Sequence, residues 1–170
     1  MTIAVPSPNG VRRILIVCHA NTSRSIIAEA VLLRLLSARG LAERYAVSSA
    51  GIAPFARDGS LVSLDARFVL REIGIELPRE AGATDLKRHP EMLRAADLVL
   101  AMTDEQRSTL RAKFPDAAGK DVVLVRELVG EAGDIDDPSM KDEDVFRFCR
   151  NEIVRCLEAG LDGLVARLEV

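Results

Sequence analysis

Cys18 and Arg24 stand at the two ends of the run Cys18-His19-Ala20-Asn21-Thr22-Ser23-Arg24, and Ser25 follows at once. A cysteine thiolate is a strong nucleophile. An arginine offers a planar fork that grips two oxygens of a phosphate. The residues between them are mostly small or polar, so the backbone can curl with successive N–H groups pointing inward, and the N-terminus of a following helix adds free N–H groups and partial positive charge. That field also favours the thiolate, the reactive form of a cysteine. Spacing alone proves little, because Cys149 and Arg155 are separated by the same interval. That second pair lies in a long helical pattern, where positions six apart point to different faces. Context therefore carries the signal at Cys18.

A second group with chemical potential is the acidic run Asp134, Asp136 and Asp137, closed by Pro138. Read from the residues alone, it is either a source of a general acid or an ordinary solvated loop. A proline restricts the preceding residue to extended geometry, which would help fix the aim of Asp137. With no histidine nearby, no metal site is expected there.

These residues need elements to hold them. Ile14 to Val17 reads as a buried strand, and Ser25 to Ser37 as a helix with Ile27, Val31, Leu32 and Leu35 at helical spacing, ended by Gly40. Further on come a weaker strand at Ala46 to Ser49, a helix at Leu61 to Ile73 stopped by Gly74, and a short helix from Pro90 to Ala96. Then follow a strand at Leu98 to Met102, a helix at Asp104 to Phe114, a strand at Val122 to Val125, a loop at Glu127 to Met140, and a final helix at Glu143 to Leu168. This alternation predicts an α/β fold: a single-domain open parallel sheet of about four strands with helices on both faces. Such sheets place their sites at the carboxyl ends of the strands, where Cys18 stands.

The 170 residues suit one domain, taken as residues 12–170 after a loose lead-in over residues 1–11. Apolar residues make up 48%, which excludes a disordered chain. A formal net charge of -3 argues against nucleic acid or an anionic membrane as partner, so any attraction of anions must be local. Three cysteines are too few and too sparse for a disulfide framework and suit a reducing, cytoplasmic setting.

With those features in place, the chain resembles the low-molecular-weight protein tyrosine phosphatase family, which includes protein arginine phosphatases. The likeness rests on the Cys18–Ser25 loop, on Ser48-Ser49-Ala50-Gly51, on Ala96 to Thr103, and on Asp136-Asp137-Pro138, in that order along nearly the whole chain. The resemblance implies hydrolysis of phosphotyrosine or phosphoarginine side chains through a phosphocysteine, with no cofactor and with phosphorylated proteins as partners. It implies Cys18 as nucleophile, Arg24 as clamp, Asp137 as general acid, and Ser25 as hydroxyl donor to the thiolate. His19, Ala20, Asn21, Thr22 and Ser23 would complete the phosphate cradle. Asn21 would hold its shape with support from Ser49, and Phe55 would wall the substrate slot.

Departures from the family pattern bear on substrate. Ala20 stands where glycine is usual, Ser23 where a second cysteine is common, and Ser139 and Met140 where tyrosine phosphatases carry aromatics. Thr22 matches the arginine branch, whereas tyrosine enzymes more often have isoleucine there. Asp134 and Asp136 are expected to face a guanidinium if their loop folds over the site. Arsenate reduction on a similar fold is the alternative reading. It requires resolving cysteines, whereas Cys149 and Cys156 lie seven apart on one helix face, as packing residues do. A non-catalytic phosphate-binding module would not need cysteine, arginine and aspartate together.

Overall fold

The computed structural model describes residues 10–169. Of the expected lead-in only Gly10 and Val11 fall among them. Four strands form one parallel sheet: β1 (Arg12–Cys18), β2 (Tyr45–Gly51), β3 (Leu98–Ala101) and β4 (Val122–Leu124), in the spatial order β2-β1-β3-β4. The helices are α1 (Arg24–Ala38), α2 (Leu64–Glu72), α3 (Pro90–Ala95), α4 (Asp104–Lys113) and α5 (Glu143–Glu169).

Side chains alternate across a strand, and β1 uses both directions. Ile14, Ile16 and Cys18 point into a core shared with Ile27, Val31 and Leu32 of α1 and with Phe146, Ile153 and Leu157 of α5. Leu15 and Val17 point into a second core with Leu86, Leu93 and Leu110, on the side of α3 and α4. The continuous apolar run of β1 is thus that of a strand covered on both faces. The chain leaves β1 first toward β2 and later crosses to β3 on its other side, so the carboxyl end of β1 is the switch point of the sheet. Cys18 is its last residue.

Two expectations are corrected. The helix expected from Leu61 begins at Leu64, because the Ser63 hydroxyl accepts from Ala66 N and starts the helix there. Leu61 instead forms an isolated bridge with Gly82. The strand expected to reach Val125 stops at Leu124, and Val125–Val129 winds into a 3₁₀ turn that ends at Gly130 with φ 73°.

Candidate active site

The turn from β1 to α1 is shaped by two backbone demands. Asn21 has φ 60°, the left-handed region that asparagine tolerates better than most residues. Gly51, at the end of β2, lies against the loop: a Cβ there would sit 2.7 Å from the His19 carbonyl oxygen. No larger residue fits without moving the loop, which accounts for the glycine that closes the Ser49-Ala50-Gly51 end of β2.

A buried hydrogen-bond chain fixes the nucleophile. Asn21 Oδ1 accepts from Thr84 N at 2.8 Å, which orients the amide. Its Nδ2 then donates to Ser49 Oγ (2.9 Å) and Ser25 Oγ (2.7 Å). The Ser49 hydroxyl donates in turn to Glu29 Oε2 at 2.6 Å. With its lone pair facing Asn21, the Ser25 hydroxyl points its proton at Cys18 Sγ, 2.9 Å away, and Asn21 N donates to the same sulfur at 3.2 Å. Ser25 therefore turns its side chain toward the sulfur and does not cap α1, whose first residue is Arg24. Burial pushes the Glu29 carboxyl up, partly opposed by the Ser49 hydrogen bond. Sequence reading passed over Glu29. Its one signal is a single charge in the apolar run Ile26 to Leu32, one helical turn after Ser25.

Arg24 is buried at 3% exposure. One guanidinium nitrogen donates to the Ile135 carbonyl at 2.8 Å, and another lies 3.7 Å from Asp137 Oδ2. The loop carrying Asp137 is in turn held to the sheet by Ile135 N donating to the Met102 carbonyl. Burial pushes the Asp137 carboxyl up, but the Ser139 hydrogen bonds and the charges of Arg24 and His19 outweigh it and leave it below the usual range.

These groups meet in one cavity of about 200 Å³ lined by Cys18, His19, Ala20, Thr22, Ser23, Arg24, Phe55, Asp137 and Ser139. Phe55 is 69% exposed and forms one wall. Asp134 is elsewhere: its carboxylate accepts from Asp104 N at the start of α4. Asp136 is exposed and does not line the cavity. The expectation that these two carboxylates face a substrate guanidinium is thus corrected. Cys149 and Cys156 are buried in α5, and burial pushes the Cys149 thiol up to about 12, so it stays protonated at neutral pH. A larger apolar cleft of about 530 Å³ behind the Phe55 loop, between Ile52, Leu93 and Phe114, contains no cysteine or histidine. Among the described residues no cluster suits a metal ion, and no helix is long and apolar enough to cross a membrane.

A doubly wound sheet with a cysteine, an arginine and an aspartate around an anion-sized cavity at its switch point defines a cysteine-dependent phosphatase. Comparison with known proteins places it more closely. Residues 13–169 match the sequence model of the low molecular weight phosphotyrosine protein phosphatase family, and the chain belongs to that family. It is 38% identical over 157 residues to a protein-arginine-phosphatase of Geobacillus stearothermophilus, covering 92% of this chain and 96% of the relative. It is 33% identical over 135 residues to the low molecular weight protein-tyrosine-phosphatase PtpB of Staphylococcus haemolyticus, covering 79% of this chain and 87% of the relative. Among solved structures, the YwlE arginine phosphatase from Geobacillus stearothermophilus superposes with a TM-score of 0.77 at 33% identity, over 93% of this chain and 96% of that one. A low molecular weight protein tyrosine phosphatase from T. tengcongensis gives 0.79 at 31% identity, over 89% and 99%.

Proposed function

We propose that this chain, with residues 12–170 as its catalytic domain, removes phosphate from tyrosine or arginine side chains of proteins in a reducing cytoplasm. The convergence of Cys18, Arg24 and Asp137 on one small cavity carries the reading. The Cys18 thiolate attacks phosphorus. A P–S bond forms, and the P–O bond to tyrosine or the P–N bond to arginine breaks. Asp137 gives its proton to the leaving oxygen or nitrogen. Water then attacks the phosphocysteine, Asp137 takes the water's proton, and sulfur leaves as a thiolate that accepts from the Ser25 hydroxyl. Arg24 and the loop N–H groups hold the equatorial oxygens throughout. Side-by-side turnover of phosphotyrosine and phosphoarginine peptides, with a Cys18→Ser control, tests the reading.

The surroundings of Asp137 favour its ionised form, yet the first step needs its acid form. A bound phosphate dianion supplies the change: it neutralises the field of Arg24 and raises the carboxyl. Once pH exceeds that raised value in the complex, the acid form is lost and phosphoryl transfer slows. Asp137→Ala is expected to remove this alkaline limb. It should slow substrates with poor leaving groups by about 10²–10⁴ while sparing good ones, and Asp136→Ala should change little. Leaving-group series at several pH values check this, and an exchange of behaviour between the two variants would move the acid by one residue.

The substrate preference we infer is phosphoarginine at least on a par with phosphotyrosine. Among the described residues Phe55 is the one aromatic lining the cavity, and Ser139 stands where a second ring would add stacking of roughly 0.5–1.5 kcal/mol. Thr22 lines the cavity and carries a hydroxyl, a group that can accept from a guanidinium. Thr22→Ile should move the ratio of kcat/KM toward phosphotyrosine. A strong wild-type preference for phosphotyrosine that Thr22→Ile leaves unmoved would rule the inference out.

A further inference from the structure

The segment entering α2 carries an apolar surface that the chemistry above leaves unused. Leu61 and Leu64 are 84% and 82% exposed. Single exposed leucines are ordinary, but these two line one groove of about 280 Å³, with Leu77 among its apolar walls and arginines along its sides. The charge there is not balanced. Arg71 pairs with Glu76. Arg67 spends its fork on the carbonyls of Leu77, Pro78, Arg79 and Ala81. The Arg79 side chain makes no hydrogen bond or ion pair among the described residues. The charge of Arg67 also reaches Glu76, but that one carboxylate stands among three arginines along the groove, and the exposed Arg79 guanidinium has no carboxylate of its own, on a chain whose net charge is -3.

The groove is fastened to the active site. Ser63, between the two leucines, donates its N–H to the Thr22 carbonyl at 3.0 Å. Thr22 lines the catalytic cavity, so Leu61 and Leu64 flank the phosphate loop. A phosphorylated side chain that reaches Cys18 brings its own backbone to the rim of this cavity, of which the Thr22 side adjoins the groove. In an extended chain the neighbouring residues then follow at about 3.3–3.6 Å per residue. We propose that this groove is a docking subsite for the phosphorylated protein, taking an aliphatic side chain near the modified residue with an acidic side chain beside it. The proposal rests on the phosphatase reading above. Aliphatic surface selects the first partner, and the unpaired Arg79 charge, in a groove with three arginines and one carboxylate, selects the second.

Three substrates test it: a phosphopeptide with leucine and glutamate beside the phosphorylated residue, the same peptide with glycine and lysine there, and para-nitrophenyl phosphate, which is too small to reach the groove. Wild type is expected to favour the leucine-glutamate peptide by about tenfold or more in kcat/KM. Leu64→Asp, and separately Leu61→Asp, should erase that preference through KM while para-nitrophenyl phosphate turnover stays unchanged. Both side chains project into solvent, so folding is not at stake. Equal rates for the two peptides in wild type would overturn the proposal. So would an equal loss on para-nitrophenyl phosphate, or a preference that survives while Leu64→Asp alters the sedimentation of the protein, which would make the surface a contact between copies of this chain. Failure of the phosphatase reading looks different: wild type would then turn over none of the three.

Discussion

Cys18→Ser is expected to abolish turnover, by a factor on the order of 10⁴ or more, as removal of a catalytic nucleophile does elsewhere, while phosphate or vanadate still binds weakly. A serine hydroxyl at this position keeps its proton at neutral pH, and the two groups hydrogen-bonded to the sulfur are not bases. Its neighbours are donors: the Ser25 hydroxyl and Asn21 N both point protons at atom Sγ. That arrangement suits a thiolate and does nothing to deprotonate an alcohol. The cradle itself survives the change. Arg24 is anchored by the Ile135 carbonyl, and Asn21 by Thr84 N and Ser49 Oγ, none of which involves sulfur. Steady-state turnover, together with titration of the variant with vanadate, separates these effects. Full activity in the serine variant would end the covalent mechanism, and loss of anion binding together with turnover would mean that the sulfur shapes the loop.

The parts of this architecture that were legible in the sequence are those set by local pattern. Ile14 to Val17 followed by Ile27, Val31 and Leu32 changes from a continuous apolar run to helical spacing across eight short or polar-rich positions, and a buried strand, turn and helix is the arrangement that buries both. Asn21 and Gly51 were marked only through the resemblance, and the structure supplies the reason: one is left-handed and the other leaves no room for a Cβ. What was hidden depends on pairing across the chain. The Arg24 bond to the Ile135 carbonyl joins residues 111 positions apart and involves a backbone atom, which leaves no mark on residue identity. The Ser49 bond to Glu29 spans two elements. Asp134 could not be told from Asp137 by composition, because its direction is decided by the exposed N-terminus of α4, where a carboxylate is stabilised by free N–H groups. The start of α2 was misplaced for a related reason: apolar residues at Leu61 and Leu64 continue the helical spacing, but the Ser63 hydroxyl offers a cap that the periodicity does not register.

Arg24→Lys is expected to lower kcat/KM by more than about 10², the loss that follows removal of one preorganised oxyanion donor. The guanidinium has two tasks in this site. One nitrogen is committed to the Ile135 carbonyl at 2.8 Å, which fixes the plane of the fork. The remaining donors are then free for phosphate oxygens and for the approach of Asp137, 3.7 Å away. A lysine ammonium is a single point of charge. If it binds the Ile135 carbonyl it stands back from the cavity, and if it moves forward to the phosphate it leaves that carbonyl buried without its donor. Neither choice reproduces two parallel hydrogen bonds to an equatorial pair of oxygens. The loss should fall mainly on kcat, because the charge on a transferring phosphoryl group is most sensitive to donor placement in the transition state, while a ground-state dianion still feels the lysine charge. Arg150 provides the control. It too is a largely buried arginine, donating to the Val69 carbonyl and to Glu72, but it lies away from the catalytic cavity. Arg150→Lys should therefore lower the thermal midpoint and leave kcat near the wild-type value, whereas Arg24→Lys should lower kcat sharply whatever its effect on the thermal midpoint. Near-normal turnover in Arg24→Lys, or matching losses of kcat in both variants, would remove Arg24 from the role of clamp.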